Sequence, residues 1–250
     1  MERTHSSDVP APLSEPVPVL AAYYEGVTAI CQLADRFDVA TWQAQTPCPE
    51  WRAADLAGHL RCIADDFHEY LDEAPVSRYA RLMATGAPPD TLDRKLARQN
   101  AAELAALADA PPADHVVAFA ESARAYASRL TAVWDLPHHQ YRDTVVTVAG
   151  MAGAACAEWH LHAWDLAKAL GLAYRPADPV AVLDCWRSGM PHRPVSSART
   201  GWRGGLTPRG SDPWHAVLTA SGRLAPAGRA ARVPGLTRTR LARLRRARRG

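Results

Sequence analysis

The chain has little of what would place it in a membrane, a disulfide scaffold or a β-rich fold. No run approaches the roughly 20 apolar residues that a membrane span needs, so no membrane role is expected. Met1 to Pro18 is polar and proline-dotted rather than charged and then apolar, so no secretory signal is expected either. The five cysteines, Cys31, Cys48, Cys62, Cys156 and Cys185, are odd in number and show no paired spacing. That usage suits a reducing cytoplasm better than a disulfide framework. There is no alternation of short strands and helices and no internal repeat. What remains is a soluble, cytoplasmic, mainly helical protein.

With 250 residues, 48% of them hydrophobic, the chain can bury a proper core. The length suits one domain of about 200 residues or two smaller ones. Its net charge of +3 conceals an asymmetry. Residues 221–250 hold ten arginines and no acid, and the other 220 residues carry 19 basic against 26 acidic side chains, a balance of −7. A basic tail could touch nucleic acid or an anionic surface. A solvated extension is the commoner meaning of such composition, and nucleic acid is not expected as a partner. The organisation expected is a leader at 1–16, a helical domain at 17–225 and an arginine-rich tail at 226–250.

Apolar positions at helical spacing predict helix one over Val19–Phe37 and helix two over Arg52–Asp72. The Pro47–Pro49 stretch between them forces an extended turn. Residues 73–112 are less regular, with a short helix expected at Thr91–Asp109. Helix three is predicted over Ala113–Trp134, and helix four over Met151–Leu170 with Gly171 as its cap. His138 and His139 read as loop residues, and 141–147 as a single strand-like connection. Short helices are expected at Pro179–Ser188 and Asp212–Thr219, with a loop over 190–212. Four long helices without a strand pattern argue for an all-α bundle with a less regular C-terminal extension.

Two segments carry the chemistry. One is Thr46-Pro47-Cys48-Pro49-Glu50-Trp51 leading into Asp55-Leu56-Ala57-Gly58-His59-Leu60. The other is Glu158-Trp159-His160-Leu161-His162-Ala163-Trp164-Asp165-Leu166. Glu158 and His162 stand at i and i+4 on one helix face, and His59 supplies an imidazole from another helix. Met151, Ala154 and Ala155 share the Glu158 face, which leaves room in the interior. A buried carboxylate without a partner costs several kcal/mol. A divalent cation held by His59, Glu158 and His162 satisfies all three side chains and keeps positions open for a further ligand. Asp165 is placed to orient His162 from outside the ligand set. His160 lies on nearly the opposite side of the helix and is excluded. Taken alone, the spacing fits solvated ion pairs and a satisfied core histidine equally well.

These two segments, in this order and separation, resemble the mycothiol-dependent maleylpyruvate isomerase family of the DinB/YfiT-like superfamily of metal-binding four-helix bundles. The likeness covers roughly residues 17–225, with Asp212-Pro213-Trp214 and Ser221-Gly222-Arg223 similar to a family ending. It implies a DinB-like fold, the ligands His59, Glu158 and His162, zinc or a related divalent ion, and mycothiol, an actinobacterial thiol, as cosubstrate. Arg52 stands where relatives carry a threonine, so the cap of helix two must come from elsewhere. The last 80 residues also lack the clear α/β pattern of the isomerase's second domain.

The chemistry implied is attack of a metal-activated thiolate on an electrophilic small molecule, giving an S-transferase or a cis–trans isomerase. A metal-dependent hydrolase and a non-enzymatic binding module are the alternatives. A monomer or homodimer fits either. Arg223 is a candidate for binding an anionic end of thiol or substrate, although surface arginine is the commoner role. Cys62 reads as buried and inert, and Cys48 as structural. Trp51 and Trp164 are expected to hold the two ligand-bearing helices in register.

Overall fold

The computed structural model describes residues 13–48, 51–107, 110–193 and 212–224. Most of the expected leader, most of the 190–212 loop and all of the 226–250 tail lie outside the described residues. In chain order the elements are α1 (Pro16–Ala34), α2 (Ala53–Asp72), α3 (Arg78–Ala84), α4 (Pro89–Ala106), α5 (Pro112–Leu130), β1 (Pro137–Tyr141), β2 (Thr144–Thr147), α6 (Val148–Ala169), α7 (Pro179–Gly189) and α8 (Pro213–Ala220). Among the described residues the protein is all-α apart from one short hairpin, and its bundle is α1, α2, α5 and α6, with α7 on α6 and α8 on α7.

Helix boundaries follow from proline and short polar side chains. Proline begins α1, α4, α5, α7 and α8, where its missing N–H would have had no partner. Thr147 caps α6 by accepting from the Gly150 N–H at 3.3 Å, and Gly171 closes that helix at φ +70°. Arginine cannot accept a hydrogen bond, so α2 is capped from inside: the Asp55 carboxylate accepts the Arg52 backbone N–H at 2.8 Å. The Arg52 guanidinium donates instead to Gln43 Oε1, 2.6 Å away.

Helix α6 is the centre of the molecule. From Val148 to Ala167 every residue is buried except Glu158. A helix apolar on all sides belongs inside, and neighbours cover this one on every side. Trp159 sits edge-on to Phe119, Phe67 and Tyr23, with ring centroids 4.8, 5.8 and 5.9 Å away, which fixes the rotation of α6 within the bundle. Tyr23 ties α1 to α5 by donating to the Ala123 carbonyl at 2.9 Å. By length and composition α1 could cross a bilayer, contrary to expectation, yet Val19, Tyr23, Val27 and Ile30 spend one face of it on the core.

Three expectations need correction. Residues 73–107 are regular, forming α3, capped by Ser77, and an 18-residue α4. The sequence signal was blurred because α4 buries only Leu92 fully. The 137–147 stretch is a two-stranded antiparallel hairpin rather than a connection, with a bulge between Pro137 and His139. Finally, Ala154 leaves no room for a site. It packs on α7, where a Cβ on Gly189 would lie 2.4 Å from the Ala154 nitrogen and 2.5 Å from the Gly150 oxygen. Small residues on α6 therefore serve close helix contact.

Gly189→Ala drives a methyl group into α6 backbone and is expected to destabilise the fold by about 3 kcal/mol, at the upper end of overpacking costs. Urea denaturation reads this directly; a variant as stable as the parent would mean that α7 does not approach α6 so closely.

Candidate metal centre

Glu158 and His162 project from adjacent turns of α6, with Glu158 Oε2 3.3 Å from His162 Nε2. From α2, the His59 ring stands edge-on to the His162 ring at 5.2 Å between centroids. Trp51 covers the other side of His59 at 4.5 Å. His59 and His162 are each 4% exposed, and Glu158 keeps 19% of its side-chain surface open. Glu158 and the His59 ring thus each stand against His162, with Glu158 on the open side. His59 Nδ1 and His162 Nε2 are buried without a hydrogen-bond partner.

Behind His162 lies an anchored carboxylate. Asp165 is fully buried, and its Oδ2 lies 3.1 Å from His162 Nδ1. An ionised carboxylate only accepts, so Nδ1 carries a proton whether the ring is charged or neutral, and on loss of the second proton the lone pair falls at Nε2. Arg223, from just beyond α8, donates from Nε to Asp165 Oδ1 at 2.9 Å and from Nη2 to Oδ2. The Cys48 thiol donates to the same Oδ2 at 3.2 Å. Arg223 is therefore no surface residue, and its charge is occupied by Asp165. Cys48, expected to be merely structural, belongs to the site, brought there by the turn before α2.

The charges follow from these contacts. Burial, reinforced by neighbouring His162, pulls the His59 imidazole down to about 3 and keeps it neutral. Burial would raise Glu158, but the His162 ring beside it, 3.3 Å away, holds its carboxyl at about 2. Asp165 is likewise held at about 2, where His162 and Arg223 overcome burial. For His162, burial is outweighed by Asp165, Cys48 and Glu158, which raise its pKa well above the usual imidazole value. Without a cation, His162 thus carries a proton between two carboxylates.

Two groupings compete for a cation. Cys48, His162 and Asp165 bring ligand atoms within 4.8 Å of one another, a tighter cluster than His59, Glu158 and His162 make. The Arg223 guanidinium, however, already occupies the charge of Asp165, and a cation there would lie beside it. On the Nε2 side stand an open carboxylate, a neutral imidazole and two unpartnered ring nitrogens. The donor chemistry fits a divalent ion there, with Asp165 as the partner that orients His162.

The remaining expectations divide. His160 is spent structurally, donating from Nε2 to the Ala22 carbonyl at 2.8 Å and accepting from the Tyr174 hydroxyl at 2.6 Å. Burial pushes the Cys62 thiol up to about 11, which suits an inert cysteine. Trp51 packs on a ligand as expected. Trp164 turns towards α7 with Lys168 above its ring at 5.5 Å, so it does not link the ligand-bearing helices.

Sequence reading missed a second group of imidazoles. The bulge in β1 leaves His138 without a cross-strand partner, and both His138 and His139 turn inward, 0% and 4% exposed. Their Nδ1 atoms lie 3.0 Å apart. Tyr79 stands edge-on to His139 at 5.1 Å. His192, 3% exposed, packs on Tyr141 at 5.9 Å. Burial lowers these three imidazoles to about 4, 3 and 4 respectively. The only available signal was the doublet after helix three, and it suggested a loop.

Residues 25–167 match the mycothiol maleylpyruvate isomerase N-terminal domain family, a span that holds His59, Glu158, His162 and Asp165. No curated protein and no solved structure matches the chain.

Arg223→Ala strips a buried carboxylate of its partner and is expected to cost about 3–5 kcal/mol, most of it regained in the Asp165→Asn, Arg223→Ala double variant. Additive losses in denaturation experiments would disprove this coupling. A pH dependence follows from the histidine cluster. With folded values below the unfolded value near ~6.5, the unfolded chain binds more protons, so stability falls as pH drops from about 6.5 towards 4. Replacing His138, His139 and His192 by Phe should flatten that slope, and an unchanged slope would count against their burial as neutral rings.

Proposed function

We propose, for a chain that belongs to the mycothiol maleylpyruvate isomerase N-terminal domain family, a metal-dependent enzyme that joins a small thiol to an electrophilic small molecule. By the family's description the thiol is mycothiol. The observation that carries this reading is the polarisation of His162: Asp165 holds one ring nitrogen, and the other, unpartnered, faces Glu158. A ligand set of His59, Glu158 and His162 leaves positions free, as catalytic rather than structural metal sites do.

A divalent cation bound there, zinc or a related ion, would turn a thiol of ordinary pKa near ~8.5 into thiolate at neutral pH. The chain's own residues prepare for that. Burial keeps His59 neutral and ready to donate its lone pair. Asp165 keeps the His162 proton on Nδ1, and Arg223 keeps Asp165 ionised. Trp51 shields His59 from water, and Glu158 lies at the open side through which small molecules enter. The sulfur then forms a bond to an electrophilic carbon, and either a leaving group departs with its electron pair or the resulting carbanion takes a proton. In both cases the product keeps the sulfur.

The family's description favours a second outcome, cis–trans isomerisation. Here the carbon–sulfur bond breaks again after rotation, and its electrons restore the double bond. The family match ends at residue 167, before α7 and α8.

The purified protein is expected to hold a single divalent ion per chain, lost in His162→Ala and weakened about 10–100-fold in Asp165→Asn. Mass spectrometry of a mixture with mycothiol and candidate electrophiles should then show a sulfur-bearing product, dependent on both thiol and metal. A product of unchanged mass assigns isomerisation. Turnover without thiol, or full metal retention by His162→Ala, overturns the proposal.

A further inference from the structure

Cys48, His162 and Asp165 have the spacing of a cation's ligands, and a cation is already among them. Asp165 Oδ2 lies 3.1 Å from His162 Nδ1 and 3.2 Å from Cys48 Sγ. Ligand atoms placed tetrahedrally about zinc, at roughly 2.0–2.3 Å from it, stand about 3.3–3.5 Å apart. The edges of this group need open only slightly to match. Arg223 Nη2 sits by the same three atoms, 2.5 Å from Asp165 Oδ2, 3.4 Å from His162 Nδ1 and 3.8 Å from Cys48 Sγ. Nδ1 carries a proton and a guanidinium nitrogen accepts nothing, so the 3.4 Å approach is no bond between the two. Both are drawn to one carboxylate oxygen.

The group is assembled from three separate parts of the chain. His162 and Asp165 belong to α6 and are buried. The turn that brings the half-buried Cys48 is closed by its own hydrogen bonds: the Cys48 N–H donates to Thr46 Oγ1 and the Trp51 N–H to the Cys48 carbonyl, each at 3.2 Å. Arg223 comes from the segment after α8. Without its guanidinium, a carboxylate, an imidazole nitrogen and a sulfur would surround the position of Nη2, a donor set suited to a thiophilic divalent ion. His162 as a neutral ring serves one side at a time. An ion on the Glu158 side takes the Nε2 lone pair and leaves the proton on Nδ1. An ion on the Cys48 side bonds to Nδ1 and Sγ; the Nδ1–H and S–H protons pass to solvent, and the ring keeps its proton on Nε2.

We propose that Cys48, His162 and Asp165 are a second cation site, filled by the Arg223 guanidinium, so that the C-terminal segment decides on which side of the His162 ring a metal ion binds. This rests on the reading of His59, Glu158 and His162 as the metal centre and adds what directs the ion there. Arg223 keeps it off the cysteine and on the open side, where a small thiol can reach it.

The test is a cadmium titration of the full-length protein, first stripped of metal, followed by the ultraviolet charge-transfer band of cadmium bound to thiolate. Each protein is compared with its Cys48→Ser counterpart, so that the difference reports Cys48 alone. The parent is expected to bind cadmium without a Cys48 band. Arg223→Ala should show that band with the first equivalent and hold cadmium at the sulfur about 100-fold more tightly than the parent, because the like charge that excluded the ion is gone. Should that variant not fold, Arg223→Gln, which can donate to Asp165 but carries no charge, provides the same measurement. A Cys48 band in the parent at the first equivalent, or none in the folded variant, overturns the proposal. The band requires no turnover. A protein that joins no thiol to any electrophile, yet shows the Cys48 band only in the Arg223 variants, loses the proposed function and keeps the second site.

Discussion

A polar side chain on α6 has no water to turn to, and the rest of the molecule answers that constraint. Twenty consecutive positions of this helix, Val148 to Ala167, leave only Glu158 in reach of solvent. His160 is satisfied by α1 and Tyr174, and Asp165 by Arg223 and Cys48. His162 is satisfied on one nitrogen only. Besides the Trp159 indole N–H, which lies among aromatic rings, the polar remainder of α6 is Glu158 and one side of His162, and there the His59 of α2 arrives. A site arises where the burial rule is left incomplete.

The bundle was legible because its four long helices carry strong apolar periodicity and end at proline or glycine. Glu158, His162 and Asp165 were legible for the same reason: once a helix is placed, spacing fixes which side chains share a face. His59 needed only a second helix of known inner side. What stayed hidden depends on contacts far apart in the chain. Cys48 and Asp165 are 117 residues apart, and Arg223 and Asp165 are 58 apart. No local pattern marks such pairs. The histidine doublet failed differently: strand alternation allows only one of two neighbours to face inward, and a bulge suspends that rule at His138. The alanines of α6 were misjudged because small residues mean space in one context and close backbone contact in another. Gly189 decides between the two, and it lies on a different helix.

The same separation in sequence bears on what the site requires. The family match closes at residue 167, yet the group that keeps Asp165 charged comes from residue 223. Helix α8 reaches that position by stacking on α7, which packs on the small-residue face of α6. Asp212 caps α8 and also takes a bidentate bond from Arg175, 2.7 Å on each arm, in the turn that follows α6. The exposed Arg175–Asp212 pair contributes little by itself. Its importance is directional, since it sets where α8 begins and hence where Arg223 ends. Loosening α8 would release Arg223, leave Asp165 as an uncompensated buried charge and free the His162 ring to turn. The C-terminal segment is thus part of the candidate site's architecture, and its Arg223 reaches the His162 ring chiefly through Asp165.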